Sequence, residues 1–361
     1  MRKQNLRKQT QSLDSKLLFV TLALVVLGLI AVADASAPQA LSVFNDKFYL
    51  VKQQLVWAGL GLVLMFIASK IKYTFWEKIA TPLFFICILT LIAVLIPGIG
   101  ARVYGARRWI PLGFFSLQPS ELVKLGLAVY LAKVASKDKN FWAFFIPLGI
   151  VAALIIAQPD LGTDLIVVFI GLAQIFSSGI NLLLFAGAVA GGGILAFLVT
   201  FFSGYRRDRL MTFLAQSSDP LGKDYHVRQI LLALGSGGVF GVGLGQSRQK
   251  FLFLPEASTD SIFAIIAEEV GFLGASVLII IFAFFIYRAF RIAQHAPDKF
   301  SQILATGIIA WIGGQMILNI ASMVALVPLT GVPLPFFSYG GSALTMVLIG
   351  VGILLNISRY A

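Results

Sequence analysis

The chain has 361 residues, 58% of them hydrophobic and only 12% charged, with a mean hydropathy of +0.91. That balance excludes a water-soluble globular domain, because no soluble core absorbs so much apolar surface. The formal charge of +12 lies in connectors between apolar runs and forms no continuous basic face, which argues against nucleic acid and for anionic lipid head groups.

Apolar runs long enough to cross about 30 Å of hydrocarbon recur along the whole chain, and each must be helical so that its backbone groups pair internally. The pattern predicts an all-α polytopic membrane protein with ten spans, near 17–34, 50–69, 78–96, 120–135, 141–157, 161–178, 181–202, 262–287, 303–327 and 337–357. A basic tail over 1–16 precedes a single membrane domain over 17–361. An even number of spans puts both termini on one side. The tail, the connectors around Lys70–Lys78, Lys133–Lys139 and Arg288–Lys299, and Arg359 share that side, so it is expected to be cytoplasmic. The first apolar stretch exceeds the usual signal-peptide core and is expected to stay in place. Cys87 lies in an apolar run, so neither an intrachain disulfide nor a Cys/His metal cluster is expected.

Three outward segments, 97–119, 203–261 and 328–338, are more than chain reversals. In the first, Arg107, Arg108 and Trp109 are adjacent. Guanidinium forks match phosphate oxygens and an indole suits a sugar face, although interfacial anchoring explains the same residues. Pro119 and Ser120 suit a helix start, which makes Glu121 and Lys124 i,i+3 neighbours, either a structural ion pair or substrate-lining groups. Asp160, in the connector Gln158–Thr163, reads as the N-cap of the sixth span.

The loop 203–261 opens on Arg206, Arg207, Asp208 and Arg209, and residues 225–234, including Gln229, predict a short amphipathic helix on the membrane surface. Six glycines between 235 and 245 permit positive φ, the property of an anion-binding nest, and Ser247, Arg248 and Lys250 follow. Then come Glu256, Thr259 and Asp260, just before the eighth span. Asp260 reads as a helix cap or as the general base of a group transfer from a lipid phosphate donor. Glu268 and Glu269 are costly in lipid and are expected to face a polar interior. Pro333–Gly341 should be a rigid turn packed beside the loop, two prolines fixing φ and Gly340 and Gly341 permitting the turn into the last span.

Taken together, GARRWIPLG with LQPSELVK, QPDLGTD, YHVRQILLALGSGGVFGVGLGQSRQKFLFLPEASTDSIFAIIAEEVGFLG and TGVPLPFFSYGGSAL resemble the SEDS family (shape, elongation, division and sporulation) of bacterial peptidoglycan glycosyltransferases. GLGQSRQK and DPLGKDY look more like the cell-division branch, FtsW, than the elongation branch, RodA. The resemblance implies polymerisation of lipid II, an undecaprenyl-diphosphate-linked disaccharide-pentapeptide, at the outer face of the cytoplasmic membrane, at the division septum for the cell-division branch. It makes Asp260 the catalytic aspartate and Arg108, Lys124, Arg248 and Lys250 candidates for steadying the departing diphosphate, alone or with a divalent cation, Mg or Mn. Trp109, Glu121, Gln229, Ser247, Glu256 and Thr259 complete the expected substrate-binding set. A class B penicillin-binding protein and other division or elongation proteins are the implied partners. Ser258 and Ser261 depart from the family's usual His and Phe. The alternatives are a flippase for the same lipid, which calls for an inverted repeat or interrupted helices at the midplane, and a non-catalytic scaffold, which has no need of Asp260.

Overall fold

The computed structural model describes residues 12–103, 106–111, 113, 116–137, 141–201, 207, 225–251 and 253–361. Arg206, Asp208 and Arg209 at the start of the long loop lie outside them. Ten long helices appear among the described residues where apolar runs predict spans. They are α1 (Ser15–Ala35), α3 (Tyr49–Lys70), α4 (Tyr73–Leu95), α5 (Pro119–Lys137), α6 (Phe141–Ala157), α7 (Leu161–Ser177), α8 (Leu182–Phe201), α10 (Ile262–Gln294), α11 (Lys299–Met323) and α12 (Gly341–Ile357). Two shorter helices occupy connectors, α2 (Ala37–Phe44) and α9 (Tyr225–Gly237). Five of the long helices meet both the length and the apolarity of a membrane crossing on their own. This is a multi-pass membrane protein.

Polarity sorts the helices. α5 carries Glu121, Lys124, Lys133 and Lys137 in 19 residues, too many charges for a lipid-facing span, and it lies in the middle of the bundle against α4, α6, α7, α11 and α12. α1, α3 and α4 instead expose large apolar side chains, as a hydrocarbon solvent requires. Small residues set the close crossings. A Cβ at Gly126 would strike Cys87 of α4, and one at Gly352 would strike the backbone of Met65 in α3. Cys87 is fully buried there, a packing residue.

The end of the bundle where Asp14 meets Ser358 is stapled by capping groups. Asp14 caps α1 through the Leu17 amide (2.8 Å) and forms an ion pair with Arg288 of α10. Asp298 and Ser301 form a reciprocal capping box on α11, and Asp298 also accepts from the Tyr73 hydroxyl.

At the opposite end the all-helical expectation is incomplete. Segment 97–119 contains a small antiparallel sheet in the order β1 (Ala101–Val103), β2 (Ala106–Pro111), β3 (Ser116–Leu117). Its Arg107 donates to the Leu95 carbonyl (3.2 Å), satisfying an acceptor at the C-terminus of α4.

Candidate active site

Asp260 stands two residues ahead of the first residue of α10, Ile262. The N-cap position belongs to Ser261, whose side chain makes no capping bond. The N-cap register of α10 thus falls one residue after Asp260. The backbone at Asp260 is held from α11: the buried Asn319 amide donates to the Asp260 carbonyl and to the Val332 carbonyl, both at 2.8 Å. The residue itself is partly exposed, and its Oδ2 lies 3.2 Å from where a Cβ on Gly331 would be. Gly331 has φ of 70°, so glycine serves there both for conformation and for room beside the carboxylate.

The 330–340 segment packs against this junction as expected. Ser338 donates to the Thr259 carbonyl (2.6 Å), and the Tyr339 amide donates to the Ser258 carbonyl (2.8 Å). Phe336 and Phe337 are buried against Phe282 and Phe285 of α10. The turn chemistry differs from expectation. Gly340 is extended (φ 170°), whereas Phe336 takes the left-handed conformation at φ 68°. Gly341 is needed for space, since a Cβ would run into the Trp57 ring.

The glycine-rich loop does form a nest, with Gly238, Gly241, Gly243 and Gly245 all at positive φ. Its anions, however, belong to the protein. The Ser247 amide donates to Glu269 (3.1 Å), the Arg248 amide to Glu268 (3.2 Å), and the Ser247 hydroxyl to the other Glu268 oxygen. A kink at Gly271 (φ 68°) lets the loop reach these carboxylates, because Gly241 and Gly271 meet backbone to backbone. Lys250 is correspondingly unsuited to a departing diphosphate. It is buried and paired with Asp34 of α1 (2.7 Å) and Glu269 (2.8 Å). Burial pulls its pKa down, but hydrogen bonds to the two carboxylates outweigh this and raise it, so the ammonium stays charged. Arg248 is exposed and keeps its side chain at the surface. α9 lies on α10, with Gly237 against the Ala267 backbone, and His226 Nε2 pairs with Ser261 Oγ at 2.8 Å. Gln229 lies half-buried on the same helix.

Arg108 reaches from β2 to the connector ahead of α7. It donates to the Gln158 carbonyl (3.2 Å) and the Pro159 carbonyl and lies 4.0 Å from Asp160. Asp160 is the α7 cap, accepting from the Thr163 amide (3.2 Å) and hydroxyl (2.9 Å). Gly162, in the first turn of α7, abuts Thr330 and Val332, so the Arg108 connector and the Asp260 junction share the 330–332 segment. Trp109 is half-buried in β2. Glu121 and Lys124 form an ion pair of 2.7 Å inside the bundle, both about 1% exposed, with the ammonium over the Trp311 ring. Lys124 thus has no surface from which to meet a diphosphate in this arrangement. Glu256, at φ 50°, accepts from the Thr259 hydroxyl (2.7 Å).

Residues 15–361 match the family described as "Cell cycle protein", which groups FtsW, RodA and SpoVE. The chain belongs to this family. Stage V sporulation protein E of Bacillus subtilis (strain 168) is 43% identical over 358 residues, covering 96% of this chain and 97% of its own. A probable peptidoglycan glycosyltransferase FtsW of Trichlorobacter lovleyi is 39% identical, covering 96% of this chain and 93% of its own. A chain from a structure of a peptidoglycan synthase complex, on the structural coordination of polymerization and crosslinking, has a TM-score of 0.79 at 30% identity and covers 96% of this chain and 98% of that one.

In this SEDS-family chain the fold gathers Asp260, Thr259, Glu256 and the 330–340 turn, with Arg108 one loop away, and withdraws Lys124, Lys250 and Ser247 into internal pairs. The expected site residues missed Asn319, which clamps the Asp260 backbone. Its signal was available: a carboxamide in an otherwise apolar span marks a specific hydrogen-bonding task. Asp34 was missed for want of any local signal, since its partner Lys250 is 216 residues away.

Proposed function

We propose that this protein polymerises lipid II into glycan strands at the outer face of the cytoplasmic membrane, with Asp260 as general base. The observation that carries the reading is the Asp260 junction: a carboxylate one residue before the N-cap of α10, backbone-clamped by Asn319 and walled by Gly331, in a chain of the SEDS family. Asp260 takes the proton from the acceptor's sugar hydroxyl as that oxygen forms a bond to the donor's anomeric carbon. The anomeric carbon–oxygen bond to diphosphate breaks, and undecaprenyl diphosphate leaves with its electron pair. Arg248, exposed on the loop, and Arg108, partly exposed beside Asp160, are the cations that fit the leaving group.

A divalent cation belongs to this proposal as a companion of the diphosphate. Among the described residues no group of three or more His, Cys, Asp or Glu side chains is placed to hold a metal ion. On the same reading both termini lie in the cytoplasm, the protein works at the division septum, and a class B penicillin-binding protein stands beside it. Similarity to a chain of a peptidoglycan synthase complex supports the last of these. The test is glycan-strand formation from labelled lipid II by the purified protein, with and without a cognate transpeptidase. No strands from wild type in either mixture overturns the reading. Orientation is tested separately: Ser42→Cys should react with an impermeant thiol reagent on intact spheroplasts and Arg359→Cys should not.

A further inference from the structure

A cavity of about 390 Å³ opens beside the Asp260 junction, between α2, the first turns of α3, the Glu256–Thr259 turn and Tyr339. Its volume lies at the lower end of small-molecule pockets, room for a monosaccharide-sized group. Two kinds of wall meet in it. Phe44 and Tyr49 form a stacked aromatic pair, ring centroids 4.0 Å apart, flanked by Val43 and Leu50. From the Tyr49 hydroxyl runs a relay of neutral hydrogen-bonding groups. The Tyr339 hydroxyl donates to Gln53 Oε1 (2.7 Å), and Gln53 Nε2 donates to the Tyr49 hydroxyl (2.9 Å). Ser258 donates to Gln39 Oε1 at 3.4 Å. The relay leaves the Tyr49 hydroxyl proton and one Gln53 N–H to give, and lone pairs on Tyr339 to accept.

An aromatic face beside carboxamide and phenol groups is the chemistry of a pyranose ring. The apolar C–H face lies on the aromatic, while hydroxyl and acetamido groups exchange hydrogen bonds with neutral partners. An acyl chain would match Val43 and Leu50 and leave the Gln–Tyr relay unanswered. A phosphate would find no cation in the lining, and Glu256 would repel it. We propose that this cavity is a saccharide subsite that holds an N-acetylated amino-sugar ring of the acceptor strand next to the Asp260 junction. The inference rests on the glycosyltransferase reading and adds to it the place where acceptor sugar is gripped. It also explains why α2 folds as a helix directly after α1: that brings Gln39 within reach of Ser258, two residues before Asp260.

The experiment uses full-length protein in phospholipid nanodiscs, with N,N′-diacetylchitobiose as the probe. Saturation-transfer NMR should show the disaccharide bound to wild type. The signal should be lost in Gln53→Leu/Tyr339→Phe, which removes the relay, and weakened in Gln39→Ala, an exposed position whose change leaves the core intact. In lipid II polymerisation the double variant should raise KM about tenfold while kcat changes less than about threefold, the signature of lost binding common to ground and transition states. Melting temperatures separate misfolding from lost binding. Absence of chitobiose binding to wild type overturns the inference, as does a signal seen only after lipid is stripped away, which would mean an acyl chain holds the cavity. Unchanged KM in both variants of an active enzyme overturns it too. A wild type that binds chitobiose yet makes no glycan breaks the glycosyltransferase reading alone.

Discussion

Asp160 and Asp260 stand at the same kind of place, a connector running into a long helix, and each is followed within three residues by a helix start. Their registers differ by one. Asp160 is the N-cap of α7, and both its oxygens are spent on Thr163. Asp260 precedes the N-cap, and what fixes its position is a clamp from another helix, Asn319, together with the 330–338 turn. A cap works through a lone pair, which an amide also has. A general base works through a proton affinity, which an amide lacks. The two junctions can therefore be told apart by the same substitution.

The largest effect is expected at Asp260. Asp260→Asn should fold, melt like wild type and lose about 10²–10⁴-fold in strand formation, the range of lost acid–base catalysis. Asp260→Glu should also be badly impaired, because it moves the carboxylate by a methylene and catalytic geometry tolerates about 0.5 Å. The measurement is polymerisation of labelled lipid II by purified proteins at matched amounts. Near-normal turnover by the Asn variant would remove the base from the mechanism.

Next in size is Arg108, which grips the carbonyls of the Asp160 connector. Arg108→Ala should lower turnover about ten- to hundredfold, as expected for losing a charge-assisted contact, and Arg102→Ala far less. Arg108→Lys should not restore activity, because a point charge cannot span the Gln158 and Pro159 carbonyls as a guanidinium fork does. Equal turnover of the Arg108 and Arg102 variants would sink the distinction.

A smaller effect is expected where α9 meets the second junction. Ser261→Ala removes the bond from His226 to the residue that follows Asp260. One neutral hydrogen bond contributes about 1 kcal/mol, so kcat should fall about fivefold with KM nearly constant if the bond orients the carboxylate. A drop in melting temperature with normal kcat would make it a purely structural tie.

The legibility of these junctions from sequence follows how local each determinant is. The ten spans were readable because hydrocarbon forces every apolar run of sufficient length into a helix. The Asp160 cap was readable because its partner is three residues away. The glycine-rich loop was half readable: composition shows that a nest forms, but whether it meets a ligand or Glu268 and Glu269 is decided by the kink at Gly271. The pairing of Lys250 was unreadable for the same reason, since Asp34 and Glu269 approach it through tertiary packing. The β1–β3 sheet and α2 are short elements whose residues also suit loops, and nothing periodic announces them.

The smallest effect, and the sharpest check on the comparison, belongs to Asp160. Asp160→Asn retains a side-chain oxygen for the Thr163 amide, so stability and strand formation should both stay close to wild type. Asp160→Ala removes the acceptor and leaves the first-turn amide of α7 unsatisfied, at about 1 kcal/mol. That should lower the melting temperature by a few degrees and activity at most a few-fold. The loss should pass through the 330–332 segment, which Gly162 touches, and so fall on stability before chemistry. Thermal melts and lipid II turnover on the same preparations separate the two. If Asp160→Asn were as inactive as Asp260→Asn while melting normally, the carboxylate at the first junction would be needed for its charge. The 4.0 Å approach of Arg108 to Asp160 would then be the contact to pursue, and the one-residue difference in register would no longer separate cap from base.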